Sequence, residues 1–569
     1  LGLDAEFLCQ DITEPDFLDN LLNKIGNKKV DVVCGGPPCQ SFSLAGKRKK
    51  FDKKDDLFSH YLQVIKVLQP KYFVMENVKG ILTKEGGKIK ELILEEINSI
   101  VDIKEIPKLT GFIKNLKNSN KKDDFLIDCI IKRIEIEQFS EKKAETAKEA
   151  FISNVESKFR QLTPKIVDYK TSKTDERVST IRHGFNLLQR NKEWEVLKRK
   201  IIREKDFCNI DNDYFVNHFN NFLTELDSTE IIKKIEEAFD KMNVSKEYAK
   251  ACNDIILALH IYTYSFDETV QVARKFCSNN QLTEYAEIIQ AIRLYRIEAP
   301  FVANASNYGV PQNRERVLFI GCRKDQKFIS DIPATVKEED KVTVFEALYD
   351  LDFVGNDEEA HHYESVNISK QFNGSAVKME KLIGKRSIDG KPDGKKGKSF
   401  AEWSREGRLN RRFLNASKPF YVQNTTALEN GIKSYDVLHN HKTSKQNADV
   451  IKRLDIIRKE GDYKKSQAKL NACGLATNKR NYNVLKPDGQ SPTVMTIADD
   501  YIHYNTPRAL TVREMARLQS FDDSFVFQGK RSTGGNNRKT EVPQYTLVGN
   551  AVPPLLARAV ATEILKNIK

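Results

Sequence analysis

Val30-Asp31-Val32-Val33-Cys34-Gly35-Gly36-Pro37-Pro38-Cys39-Gln40-Ser41-Phe42-Ser43 is the stretch from which the fold of this chain is read. Its first five residues are β-branched and apolar around one Asp and run into a double glycine, the pattern of a short buried strand. Pro37 and Pro38 then fix φ and remove two backbone donors, so the chain leaves the sheet extended and carries the Cys39 side chain past the strand's carboxyl end. In an open α/β sheet that end is where ligands bind. A free cysteine is commonly a small core hydrophobe, and Cys34, inside the apolar run, is expected to be one. The turn sets Cys39 apart as a nucleophile.

The other cysteines (Cys9, Cys129, Cys208, Cys252, Cys277, Cys322 and Cys473) are scattered singly. That usage supplies neither a metal-ligand spacing nor a disulfide framework, and it fits a reducing compartment. With 569 residues the chain is expected to hold more than one domain, and its net charge of +13 makes a polyanion a plausible partner. Charge alone does not separate DNA, RNA and a membrane surface. No apolar run approaches the roughly 20 residues that span a bilayer, and the first residues lack a signal-peptide pattern, so a soluble intracellular protein with no membrane partner is expected.

Strand-like and helix-like segments alternate from residue 1 to about 103, as in a parallel sheet with crossover helices. Strands are expected at residues 5–9, 30–34 and 72–75, and Leu57, Tyr61, Leu62, Ile65 and Leu68 follow helical spacing between the last two. Residues 104–290 are rich in Lys, Glu and Asp, poor in Gly and Pro, and carry helical apolar spacing such as Ile231, Ile232, Ile235 and Phe239. They read as a mostly helical insertion whose charges are solvated helix faces. Strand signals return in 291–330. Residues 331–490 read as irregular, with short strands and long polar loops, including a basic, glycine-rich loop at 384–399 suited to phosphate contact. Order resumes in 491–569, with helices expected near 511–518 and 555–565.

Chemistry collects at three further places. Glu76 and Asn77, in Met75-Glu76-Asn77-Val78, follow the third strand; Glu76 suits a general acid if burial keeps its proton, and equally a strand-end carboxylate paired to a lysine such as Lys79. In Gln312-Asn313-Arg314-Glu315-Arg316, alternation puts Arg314 and Arg316 on one face with Glu315 opposite, a pair able to hold a carboxylate, a phosphate or a base carbonyl, or to form surface ion pairs. Gly549-Asn550-Ala551-Val552-Pro553-Pro554 precedes the last helix as a turn. Thr511 and Glu514 form a capping box ahead of a helix that reads as structural.

Taken in order, the Pro-Pro-Cys-Gln, Glu-Asn-Val, Gln312 to Arg316, Ser491-Pro492-Thr493-Val494, Thr511 to Glu514 and Gly549 to Val552 blocks resemble the DNA (cytosine-5)-methyltransferase family over residues 1–100 and 290–569. The resemblance implies an α/β fold: a Rossmann-like S-adenosylmethionine-dependent methyltransferase sheet, with 331–490 as a smaller target-recognition domain. It implies that Cys39 adds to C6 of a flipped-out cytosine in double-stranded DNA, that Glu76 serves the ring N3, that Arg316 holds O2 and that Arg314 supports the same pocket. It places Asp11, Ile12, Pro37, Leu57, Asn550 and Ala551 against S-adenosyl-L-methionine, and Gln40, Ser43, Asn77 and Val78 against the substrate. The basic residues 46–54 would meet phosphates.

By the same resemblance the protein is a modification enzyme of a restriction-modification system, with a restriction endonuclease as partner, in a prokaryotic cytoplasm and associated with the nucleoid. A tRNA cytosine methyltransferase and a cofactor-deficient DNA-binding remnant are the alternatives. The family's Phe-x-Gly-x-Gly loop and following acidic residue have no counterpart after Leu1. An N-terminal segment or a partner chain is therefore expected to complete the cofactor pocket, and the chain alone is expected to bind the methyl donor weakly.

Overall fold

The computed structural model describes residues 6–14, 16–38, 57–119, 123–138, 141–166, 176–188, 228–242, 246–338, 341–348, 351–362, 437–479, 481–532 and 541–569. Cys39, Gln40, Ser43, the basic stretch 46–54 and the loop 384–399 lie outside them.

The central sheet holds β1 (Val32–Gly35), β2 (Tyr72–Val78), β3 (Tyr295–Arg296), β4 (Phe301–Asn304) and β5 (Glu315–Arg323), in the order β1-β2-β5-β3, with β4 also on β5. Side chains alternate across it as the strand period requires. Phe73, Met75, Val317 and Phe319 pack on one face with helices Leu57–Leu68 and Lys88–Asn98, while Tyr72, Val74, Leu318 and Ile320 pack on the other with Leu556, Val560 and Ile564 of the last helix, Pro554–Asn567. This is a three-layer α/β arrangement.

The parallel pairing expected within residues 1–103 is present: β1 and β2 pair in parallel on either side of the crossover helix Leu57–Leu68, while among the described residues β5 runs antiparallel to β2, β3 and β4. The ten or so residues between β4 and β5 are too few for a crossover, which forces the antiparallel return. The expected first strand is absent from its described part: residues 6–10 lie in no strand, and Phe7 is exposed. Cys34 is exposed on the edge strand β1 rather than in the core, because alternation turns its neighbour Val33 inward.

Between β2 and β3 the chain builds a helical body. Helices Ile106–Ser119, Asp124–Gln138, Glu141–Ile166, Ser228–Lys241, Lys246–Thr263, Phe266–Arg274 and Leu282–Ile292 contribute to one apolar core that runs from Val101 to Ile292. Its neck is a pair of antiparallel chain ends: Val101 bridges Arg293, Asp102 N donates to Ile292 O at 2.8 Å, and Leu294 N donates to Ile100 O at 3.0 Å. Lys324 clamps this neck through Asp102 at 2.7 Å.

A second lobe centres on helix Val512–Leu518, whose buried residues pack with Val344, Phe345, Tyr501, Tyr504 and Tyr545. The expected irregularity of 331–490 also needs correction, since helices Ala448–Glu460 and Tyr463–Ala472 occupy part of it. Their signals are local. Asn447 caps the first, Gly461 ends it with φ 68°, and Asp462 caps the second.

Candidate active site

Strands β2 and β5 position the two charged groups of the site. Glu76 stands opposite Leu318 and Val78 opposite Arg316, so Glu76 and Arg316 are diagonal neighbours on one sheet face. Arg316 Nε meets Glu76 Oε1 at 2.7 Å, and Arg316 Nη1 donates to Glu315 O at 2.8 Å. Lys79 pairs instead with Glu315, at 2.8 Å on the exposed face, which removes the lysine partner considered for Glu76. Burial pushes the Glu76 carboxyl above its ordinary range, against the pull of Arg316 and Arg314. Burial likewise lowers Arg316, with Glu76 opposing it.

The turn carrying Cys39 is tied to this pair. A Cβ built on Gly36 would lie 3.2 Å from Glu76 Oε2, so only a glycine lets the turn pass this close to the carboxylate with room to spare. Asn77, buried beside it, donates from Nδ2 to Pro37 O at 2.8 Å and accepts from Val78 N at 2.9 Å. Both ends of the amide that sequence reading assigned to the substrate are thus engaged by the protein's own backbone. Asn77 holds the buried Pro37, two residues before Cys39; Val78, at the strand end, is exposed. Among the described residues Oε2 of Glu76 accepts no hydrogen bond, and this oxygen faces Gly36.

Arg314 sits differently from Arg316. It is 2% exposed and donates from Nη1 to Val494 O at 2.9 Å and from Nη2 to Gly549 O at 2.8 Å. Burial, with Arg316 nearby, brings its guanidinium down to about 10. Gln312, on the same face, accepts from Val494 N at 2.7 Å and donates to Leu518 O at 3.1 Å. Gln519 in turn donates to Val548 O at 2.9 Å. Three of the motif blocks, with the end of helix Val512–Leu518, therefore meet in one hydrogen-bonded joint. Gln519, Arg513 and Arg517, which the sequence offers only as part of a structural helix, are buried side chains that organise this lobe: Arg513 donates to the carbonyls of His439 and Phe525, and Arg517 pairs with Asp523 at 2.6 Å. Their signal was charge placed on the apolar side of a capped helix.

A sequence profile of C-5 cytosine-specific DNA methylases matches residues 5–101 and 268–566. The chain belongs to this family. The stretch the profile skips falls within the helical body. Among curated relatives, the Type II methyltransferase M1.HphI of Haemophilus parahaemolyticus is 45% identical over 100 residues, which are 17% of this chain and 27% of that protein. M.DdeI of Desulfomicrobium norvegicum is 43% identical over 96 residues, 16% of this chain and 22% of the relative. M.AquIA of a Picosynechococcus strain is 49% identical over 74 residues, 13% and 30%. The chain thus spans about a quarter of the length of the curated relatives it matches.

The remaining expected cofactor residues of this family member lie on three further elements. Asp11 is exposed and accepts from Thr13 N and Thr13 Oγ1, both at 2.8 Å, and Ile12 sits half-buried in the same turn. Leu57 opens helix Leu57–Leu68. Asn550, exposed, ends helix Gln544–Asn550, and Ala551 follows it half-buried. Among the described residues no cluster of His, Cys, Asp and Glu suits a metal ion, and no helix is long and apolar enough to cross a membrane.

Proposed function

We propose that this protein methylates C5 of cytosine in double-stranded DNA, and that Cys39, Glu76 and Arg316 carry the reaction. The observation that supports this most is the pair of half-buried Glu76 and buried Arg316 standing against Gly36, three residues before Cys39. Cytosine C5 is a poor nucleophile until a soft nucleophile adds to C6. The Cys39 thiolate forms the S–C6 bond, the C5–C6 electron pair shifts to C5, and protonated Glu76 steadies the ring at N3. Arg316 holds O2. C5 takes the methyl group, its proton leaves to a base, and the returning electron pair expels Cys39. Because C6 is shielded in the stacked duplex, the base enters flipped out, with Gln40, Ser43 and Val78 at the pocket wall.

S-adenosyl-L-methionine supplies an electrophilic methyl group in this reading. The residues fit it in part: exposed Asn550 offers an amide to a carboxylate, Leu57 and Pro37 offer apolar surface, and Asp11 offers an acceptor to an adenine amine. Among the described residues β1 pairs only with β2, and helix Phe17–Ile25 leaves its apolar residues no more than half-buried. That edge is the place where a further strand of the cofactor pocket, from an N-terminal segment or a partner chain, would add. A role in a restriction-modification system, with an endonuclease partner, follows from the same reading.

DNA containing 5-fluorocytosine tests the mechanism, since fluorine at C5 cannot leave as a proton. With the methyl donor present, together with the N-terminal segment or partner chain that completes its pocket, the wild type is expected to form a denaturant-stable adduct and Cys39→Ala none. An adduct with Cys39→Ala, or none with the wild type, sinks the reading. Labelled methyl transfer to tRNA but not to duplex DNA would favour an RNA substrate, and binding without transfer would mark a DNA-binding protein only.

A further inference from the structure

Four chain segments far apart in sequence converge on Arg314, and nothing at that point requires the substrate. Arg314 and Gln312 together hold both polar groups of the Val494 peptide: Gln312 takes its N–H at 2.7 Å and Arg314 its carbonyl at 2.9 Å. The second arm of the guanidinium binds Gly549 O at 2.8 Å, beside Val548 O, which Gln519 holds. Both carbonyls belong to the last turn of helix Gln544–Asn550, where carbonyls attract a cation; Val548 O also takes the Ala551 N–H at 3.2 Å. Packing tightens the same contact. A Cβ on Gly549 would fall 2.5 Å from Met495 O and 2.9 Å from Thr496 N, so the 494–496 segment lies directly on this glycine. Asn550 is the next residue. At its other end, Arg314 is two residues from Arg316, on the strand that meets Glu76.

We infer that Arg314 is a positioning residue: it spans the base pocket and the Asn550 turn, so that ordering one orders the other, and it does not contact the base. A planar fork with two fixed donors suits this task, whereas lysine offers a point charge that cannot keep both carbonyls in one geometry. The inference rests on reading Asn550 as a contact to the methyl donor, and its test separates the two.

The test compares wild type, Arg314→Lys and Arg316→Lys in the full chain. Hydrogen exchange in peptides covering 491–498 and 544–556 is expected to quicken in Arg314→Lys, while 72–78 in the sheet stays as protected as in the wild type. In methyl transfer, Arg314→Lys is expected to raise KM for S-adenosylmethionine by about tenfold, the loss of roughly one charge-assisted hydrogen bond, and to leave kcat within about threefold of the wild type. Arg316→Lys is expected to lower kcat instead. If Arg314→Lys does not fold, Gly549→Ala, which pushes 494–496 off the helix with Arg314 intact, is expected to give the same KM effect.

Three results overturn the inference: unchanged exchange in both peptides, loss of protection throughout the sheet, or a fall in kcat with KM unchanged. A wild type that transfers no methyl group counts against the proposed reaction, while the exchange measurement still decides the positioning role.

Discussion

In the proposed reaction Glu76 carries the most demanding chemistry of any single residue described. Its carboxyl is raised by burial, so it keeps a proton at pH values where a free glutamate is ionised. The charged form therefore costs stability: the contribution is complete below the ordinary carboxyl pKa and is lost as pH rises through the raised one. For catalysis the same shift predicts that kcat falls as pH rises through that raised value. Glu76→Gln keeps the hydrogen bond to the ring but cannot pass a proton. It is expected to lower kcat by about 10²-fold and to abolish this alkaline fall, as a pH–rate profile would show. Asn77 illustrates what a residue type conceals. Its side chain suggests a substrate contact, and the fold uses it to hold Pro37.

Helix Val512–Leu518 shows how an element is stabilised. Thr511 accepts from Glu514 N at 3.1 Å, and Glu514 returns to Thr511 N at 2.8 Å, as its sequence predicts. Two additions come from elsewhere. Arg508 grips Glu514 with two bonds of 2.8 and 2.7 Å, and His441 joins from 70 residues away, its Nδ1 on Thr511 Oγ1 at 2.9 Å. Because the Leu351 carbonyl can only accept, it receives the Nε2 proton of His441 at 3.0 Å, and Nδ1 accepts from the threonine hydroxyl. Burial drives the His441 pKa from 6.5 down to about 4. The unfolded chain therefore takes up this proton first, and the stability it represents, present above about pH 6.5, is lost as pH falls toward 4. Urea denaturation across that range is expected to show the loss, and His441→Gln to flatten part of it.

On the scale of the whole molecule, the helical body joins the sheet away from the Glu76–Arg316 pair. Its neck lies at the Arg323 end of β5, whereas Arg316 lies at the other, seven residues and ~24 Å away along the strand. The two ends of the neck already meet in an isolated antiparallel bridge, Val101 to Arg293. Replacing residues 102–292 with a two-residue Asn-Gly turn is expected to leave a folded protein whose kcat/KM for duplex DNA stays within about twofold, because sites this distant behave additively. A large loss of DNA affinity in that variant would instead place the body on the DNA.

What the sequence determined by itself is local. Prolines fix φ after β1, a glycine pair ends that strand, and Thr511 and Glu514 start a helix, each decided within a few residues by backbone chemistry. The helices at 448–472 carry equally local caps, but polar composition hid them. The partners of the buried side chains were decided only by tertiary structure. Arg314 finds its carbonyls 180 and 235 residues further along the chain, and Asn77 finds Pro37 across two strands. No sequence spacing encodes such a contact, because it exists only once the packed layers exclude water and every buried donor must meet an acceptor.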